Sequence, residues 1–315
     1  MTDSAPLRAV CLMGPTAAGK TEHAIELTKH YPFDLISVDS AQVYREMNIG
    51  TAKPDPAVLA AHPHRLIDIR EPWENYSAGD FCRDAVVAMQ EITAAGRIPL
   101  LVGGTMLYFQ ALQRGIAPMP AADPALRASL DQRAAEAGWP ALHEELRELD
   151  PVTAERLNPM DSQRIQRALE VCLLAGVPMS ELHSATEPPV QANYLNIGLL
   201  PSDRGRLHRQ IATRFAGMMD AGFLAEVRAL SERPGMSAAV PAMRAVGYRQ
   251  LWSHVSGATV LDEAAEQAVI ATRRLARRQL TWLRSWPGLH ELDSFADTVG
   301  TQMDEIVNSW FSIDA

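Results

Sequence analysis

Short apolar runs alternate with amphipathic stretches through the first third of the chain. RAVCLMG, Arg8–Gly14, is almost continuously apolar and ends in glycine, which predicts a buried strand. EHAIELTKH follows with helical spacing, and DLISVDS (Asp34–Ser40) predicts a second buried strand. Ser77–Gly96 predicts a helix that Ser77 caps and Gly96 ends. RIPLLVGGT, Arg97–Thr105, predicts a third strand closing on paired glycines. Strands separated by helices in this order predict an α/β fold: a mainly parallel sheet with helices on both faces.

The texture changes at GIAPMPAADP (115–124), whose prolines mark a boundary. From Ala125 to about Ser184 every segment has helical spacing, broken at GWP, DP and NP. NYLNIGLL, Asn193–Leu200, returns to strand character and is expected to rejoin the sheet. Helices follow from Asp203, with a short strand at LHELD. The expected organisation is a P-loop NTPase-like core over 1–118, a helical insertion over 119–190, and a mainly helical completion of the core over 191–315.

Composition narrows the function classes. A hydrophobic fraction of 47% and a charged fraction of 21% are those of a globular protein. No apolar stretch approaches the roughly 18 residues of a membrane span, and the first residues lack a signal-peptide pattern. Cys11, Cys82 and Cys172 are too widely spaced for a metal site or a disulfide framework, which points to a reducing cytosol. The formal net charge of −9 argues against nucleic acid as a partner. The layout argues the other way: the only lysines are Lys20, Lys29 and Lys53, and much of the arginine clusters after residue 160.

GPTAAGKT (Gly14, Pro15, Thr16, Ala17, Ala18, Gly19, Lys20, Thr21) fits G-x-x-x-x-G-K-[ST] between a predicted strand and a predicted helix. Such a loop turns backbone N–H groups toward phosphate oxygens at a helix start. Lys20 would reach the terminal phosphates, and the Thr21 hydroxyl can join Mg²⁺ coordination. A phosphoryl-transfer enzyme also needs a strand-end acid for the metal, and IPLLVGG offers none. The strand-end carboxylate near the loop is Asp39, nineteen residues after Lys20. Asp39 either does chemistry or caps the turn beside Ser40. His62 and His64 lack further metal-ligand partners and are expected to flank a loop entering the sheet.

GPTAAGKT, ISVDSAQVYREMNIGTAKP, HRLIDI, LLVGGTMLY, RAVGYRQ and RRQLTWLRSW, in that order over nearly the whole chain, resemble the tRNA dimethylallyltransferases, or tRNA isopentenyltransferases. The resemblance implies that the loop holds the diphosphate of dimethylallyl diphosphate and that the prenyl group passes to the exocyclic amine of the adenine 3′ of the anticodon. It implies Asp39 as general base, Lys20, Thr21, Mg²⁺ and Arg214 on the leaving diphosphate, and Thr105 at the target nucleotide. Two positions depart from the family: Ala18 where serine is usual, and Met106 where glycine is usual. The remaining partner is the tRNA anticodon stem-loop, with no membrane and a monomeric, cytoplasmic protein expected.

RNA contacts are implied at Asp39, Ser40, Ala41 and Gln42, with the Gln42 amide able to read an adenine edge. They are implied again at Gln163, Arg164, Ile165, Gln166 and Arg167, where Arg164 and Arg167 share a helix face. A third set is Arg244, Ala245, Val246, Gly247, Tyr248 and Arg249; a fourth is Arg277, Arg278, Gln279, Trp282 and Arg284; Arg127 adds another. Each arginine cluster, Arg214 included, can equally be a solvated helix face. A small-metabolite kinase would explain the loop, and a nucleotide-dependent RNA-binding protein would explain the arginines.

Overall fold

The computed structural model describes residues 7–117, 119–183 and 186–312. Residues 1–6, Pro118 in the expected boundary and Ser184 at the end of the expected helical stretch lie outside them. The chain forms two compact units, one of Met1–Gln113 with Val190–Ala315 and one of Arg114–Pro189.

The first unit opens with β1 (Leu7–Met13), α1 (Lys20–His30), β2 (Phe33–Val38), α2 (Pro56–Ala61), β3 (His64–Arg65), α3 (Ala78–Ala94), β4 (Ile98–Gly103) and α4 (Met106–Arg114). The second unit holds α5 (Pro124–Ala137), α6 (Trp139–Leu149), α7 (Pro151–Arg156), α8 (Ser162–Ala175) and α9 (Met179–His183). The first unit resumes with β5 (Ala192–Leu199), α10 (Arg204–Asp220), α11 (Phe223–Ser231), α12 (Tyr248–Val255), α13 (Leu261–Arg284), β6 (Leu289–Leu292) and α14 (Val299–Ser312). The six strands form one parallel sheet in the order β3-β2-β4-β1-β5-β6.

Alternation along β1 divides its side chains between two cores. Ala9, Cys11 and Met13 join the larger cluster, with α3, α4 and α11–α13. Val10 and Leu12 join the other, with α1 and α14. A strand covered on both faces reads as an unbroken apolar run, which is why RAVCLMG carried no polar alternation. Ser77 caps α3 through a capping box with Asp80, and Gly96 ends it at φ 72°. The second unit has its own core, with Leu130, Leu142, Leu146, Ile165 and Leu169 at its centre.

One strand was not expected. His64 lies in β3, paired with Leu35 at the sheet edge, rather than in a loop leading to it. Two residues are too few for any periodicity, so only pairing to β2 defines them as a strand. RIPLLVGG is accordingly the fourth strand in the chain, not the third.

Candidate functional site

Three connections leave the carboxyl ends of neighbouring strands. Met13 and Val38 both pair with Gly103, so β1, β2 and β4 end level with one another. The phosphate loop leaves β1, the Asp39 turn leaves β2, and Gly104–Thr105 leaves β4. Open parallel sheets place ligands at this edge. A Cβ on Gly103 would lie 2.0 Å from the Val38 carbonyl oxygen, so glycine is required for the strands to end this closely.

The phosphate loop curves through two left-handed residues, Ala17 at φ 63° and Gly19 at φ 76°. Alternation of this kind turns successive N–H groups into an anion-binding concavity. Gly19 is the N-cap of α1 and has no side chain to fill the space where a phosphate would sit. Ala18, the departure from the usual serine, is buried and packs into the smaller core. Lys20 Nζ donates to the Pro15 carbonyl at 2.6 Å. Burial, and secondarily Arg214, push the Lys20 pKa down to about 8, against an opposing pull from Asp39. Arg214 keeps solvent contact at its surface, yet burial lowers its pKa while Asp39 and Glu22 oppose the shift. Lys20, Arg214 and Asp39 therefore lie within electrostatic reach of one another although they come from three separate stretches of sequence. Thr21 is exposed at the start of α1.

Asp39 caps its turn: Oδ1 accepts from the Ala41 N–H at 2.8 Å and the Gln42 N–H at 3.3 Å. Oδ2 has no hydrogen-bond partner among the described residues. The carboxylate can thus hold the turn with one oxygen and take a proton on the other. Thr105 joins this turn to β4, since its hydroxyl accepts from the Ser40 N–H at 3.1 Å and its own N–H donates to Val38. Met106, next to it, is buried in the main core, so it packs inward.

Several residues expected at RNA have partners within the protein. The Gln42 amide accepts from the Ser37 hydroxyl and donates to the Thr51 and Ala52 carbonyls, so it holds the 39–52 segment together. Tyr248 is fully buried and its hydroxyl donates to Glu226. Ile165 is fully buried in the second unit's core. Gln279 is buried, with its amide donating to the Gly104 carbonyl and accepting from the Thr16 N–H. Arg127 makes a two-pronged pair with buried Glu170, and Arg167 donates to Glu170 and to the Pro120 carbonyl. Gln166 donates to the Arg127 carbonyl and to Asp131. Gln163, Arg164, Arg244, Arg249, Arg277, Arg278, Trp282 and Arg284 are exposed. Arg164 pairs with Asp161, whereas Arg277 and Arg278 have no ion pair among the described residues. Ala245 and Val246 are half-buried and lead into Gly247 at φ 91°, where the chain turns into α12.

Two residues that the sequence did not single out hold the segment after Asp39. Glu226 accepts from the N–H groups of Asn48, Ile49 and Gly50 and from the Tyr248 hydroxyl. Lys53, only 3% exposed at its side chain, donates to the Tyr44 carbonyl, Asn48 and Asp68. Glu226 stands on an ordinary amphipathic helix, so no local signal could have identified it. Replacing Glu226 with alanine strands four donors and is expected to cost about 2–4 kcal/mol. Chemical denaturation checks this, and a loss below about 1 kcal/mol would show that water satisfies those donors.

Among the described residues no group of three or more His, Cys, Asp or Glu side chains could hold a metal, and no helix is long and apolar enough to cross a membrane.

Known proteins resemble this chain in sequence and fold. The family described as IPP transferase matches residues 42–286, and that described as isopentenyl transferase matches 7–71. A protein of Thiobacillus denitrificans named tRNA dimethylallyltransferase is 56% identical over 299 residues, covering 95% of this chain and 96% of its own. One of the same name from Bordetella petrii is 53% identical, with 94% and 95% covered. The crystal structure of a tRNA isopentenylpyrophosphate transferase from Bacillus halodurans superposes at a TM-score of 0.70 with 32% identity, covering 98% of this chain and 99% of that one. A eukaryotic dimethylallyltransferase acting on tRNA shares the fold at a TM-score of 0.81 and 23% identity, covering 97% of this chain and 80% of its own. A phosphate loop whose neighbouring strand-end acid rises from β2 rather than β4 thus belongs to a chain matched nearly end to end by prenyl-transferring enzymes, and the protein is a member of the IPP transferase (tRNA dimethylallyltransferase) family.

Proposed function

We propose that the protein transfers a dimethylallyl group from dimethylallyl diphosphate to the exocyclic amine of the adenine 3′ of the anticodon, in tRNAs reading codons that begin with U. The observation that carries this reading is the Asp39 carboxylate beside the phosphate loop, with one oxygen holding its turn and the other uncommitted. An adenine amine is a weak nucleophile because its lone pair is delocalised into the ring. In the proposed step the amine nitrogen forms a bond to the allylic carbon as the carbon–oxygen bond to the diphosphate breaks. The amine proton goes to Asp39 Oδ2, and the electron pair of the broken bond leaves with the diphosphate. The loop N–H groups, Lys20 and Arg214 face the negative charge that grows on the leaving group, where preorganised donors act most strongly. The base must leave the anticodon stack to reach the carbon, and Thr105 stands next to the Asp39 turn, in a position to meet it.

Mg²⁺ fits this site as a companion of the diphosphate. It keeps most of its waters, takes substrate phosphate oxygens and needs few protein donors. The exposed Thr21 hydroxyl is the donor offered here. When bound, the ion would neutralise part of the charge on the departing diphosphate.

Incubation with labelled dimethylallyl diphosphate, and separately with γ-labelled ATP, tests the reading. Prenyl label entering tRNA supports it. Transfer of the ATP phosphate instead would make the protein a kinase, and neither transfer would leave an RNA-binding protein without catalysis.

The arginines divide by their partners. Among the described residues Arg277 and Arg278 have no ion pair, whereas Arg127 and Arg167 are neutralised in part by Glu170. The Arg277→Ala, Arg278→Ala double variant is therefore expected to lower the slope of log affinity for tRNA against log salt by about 1–2, each lost phosphate contact releasing fewer counterions. Arg127→Ala should instead lower the melting temperature and leave the slope nearly unchanged, because buried Glu170 loses one of its two arginine partners and keeps only Arg167. A salt titration of tRNA binding decides it, and parallel lines for the parent and the double variant would return Arg277 and Arg278 to a solvated helix face.

A further inference from the structure

We infer that Gln279 limits the phosphate loop to two phosphates, by withdrawing one loop N–H from the anion and presenting an acceptor oxygen in its place. The inference rests on the reading of the loop as a diphosphate site. The Thr16 N–H belongs to the loop that should face an anion, yet it donates to Gln279 Oε1 at 3.0 Å. The other end of the same amide, Nε2, donates to the Gly104 carbonyl at 2.8 Å. A carbonyl can only accept, so Nε2 must face Gly104 and Oε1 must face Thr16; the orientation of the amide is settled by its partners. Gln279 is buried at 9% exposure, on the stretch of α13 whose Ala276 joins Leu207 and Ile211 in a small cluster that Ala17 of the loop packs against, so the side chain cannot swing aside cheaply.

Gly104 is built around this amide. A Cβ there would lie 2.4 Å from Gln279 Nε2. The second glycine of the β4 turn is thus needed to admit the glutamine, while the first is needed by Val38. A phosphate that extended to Thr16 would meet the Gln279 carbonyl oxygen, and two acceptors in contact repel. Phosphates held by the later N–H groups, from Ala17 to Thr21, would meet no such oxygen. A triphosphate therefore loses a donor and gains a repulsion at this end of the loop, while a diphosphate loses neither.

Titration calorimetry with inorganic pyrophosphate and with inorganic tripolyphosphate tests this on the full chain, comparing the parent with Gln279→Leu and Gly104→Ala. The parent should prefer pyrophosphate. Gln279→Leu frees the Thr16 N–H and removes the opposing oxygen, so the ratio of the two affinities should shift toward tripolyphosphate by about tenfold, the scale of one hydrogen bond. Gly104→Ala leaves the glutamine in the sequence but displaces its amide, and should shift the ratio in the same direction. The double variant should shift it no further than the larger single effect, since both act through one contact. A strut with a merely structural role would lower the melting temperature and weaken both anions alike; an unmoved ratio in both single variants overturns the inference. A parent that bound neither anion would overturn the reading of the loop itself, a result distinct from an unmoved ratio.

Discussion

Asp39→Asn is expected to slow prenyl transfer by roughly 10²–10⁴-fold, the range for loss of a general base, with little change in tRNA or diphosphate affinity. The asparagine carbonyl can still accept from the Ala41 and Gln42 N–H groups, so the turn survives. What is lost is the second oxygen and its ability to take a proton. Asp39→Ala removes both and should be at least as slow, with an added loss of stability from the uncapped turn. The pair of variants separates the two readings of this residue. Single-turnover rates are the measurement: if asparagine restored near-parent transfer while alanine did not, Asp39 would be a turn cap and the base would lie elsewhere.

Lys20→Met is expected to weaken pyrophosphate binding by about 10–100-fold, the scale of a hydrogen bond between charged groups. The parent should also show a pH dependence that the variant lacks. Burial and Arg214 push the Lys20 pKa down to about 8, and a bound diphosphate supplies negative charge that raises it again. Between those two values binding takes up a proton, so pyrophosphate affinity falls as pH rises above about 8, by up to tenfold per unit. The stability sign runs the other way. The unfolded chain keeps Lys20 protonated to its ordinary pKa near 10.5, so it binds more protons than the folded chain between about 8 and 10.5. The folded protein is penalised by this residue below about pH 8 and relieved of that penalty as pH rises. Calorimetry across pH 7–10 checks the binding arm, and a flat profile in the parent would place Lys20 away from the anion.

Local chemistry in the chain was enough for the α/β layering, the phosphate loop and the candidacy of Asp39. Buried strands need apolar residues on both faces, and an anion cradle needs glycine, lysine and threonine at set spacing, so these requirements are written residue by residue. The family motifs added the substrates. β3 was illegible because two residues carry no period and become a strand only when β2 lies beside them. The partners of polar side chains were illegible for a related reason: a hydrogen bond satisfied across 263 residues, as between Thr16 and Gln279, leaves no trace in the spacing around either one. The sequence could therefore mark Gln42, Tyr248 and Gln279 as polar residues within motifs, but burial and folding decided that their polar atoms meet other parts of the protein. It could not mark Glu226 at all, since a glutamate on an amphipathic helix looks like any other until a loop brings three backbone N–H groups to it. A residue's type and its neighbours along the chain determine what it can do; the contacts formed by distant segments determine which of those capacities remain free.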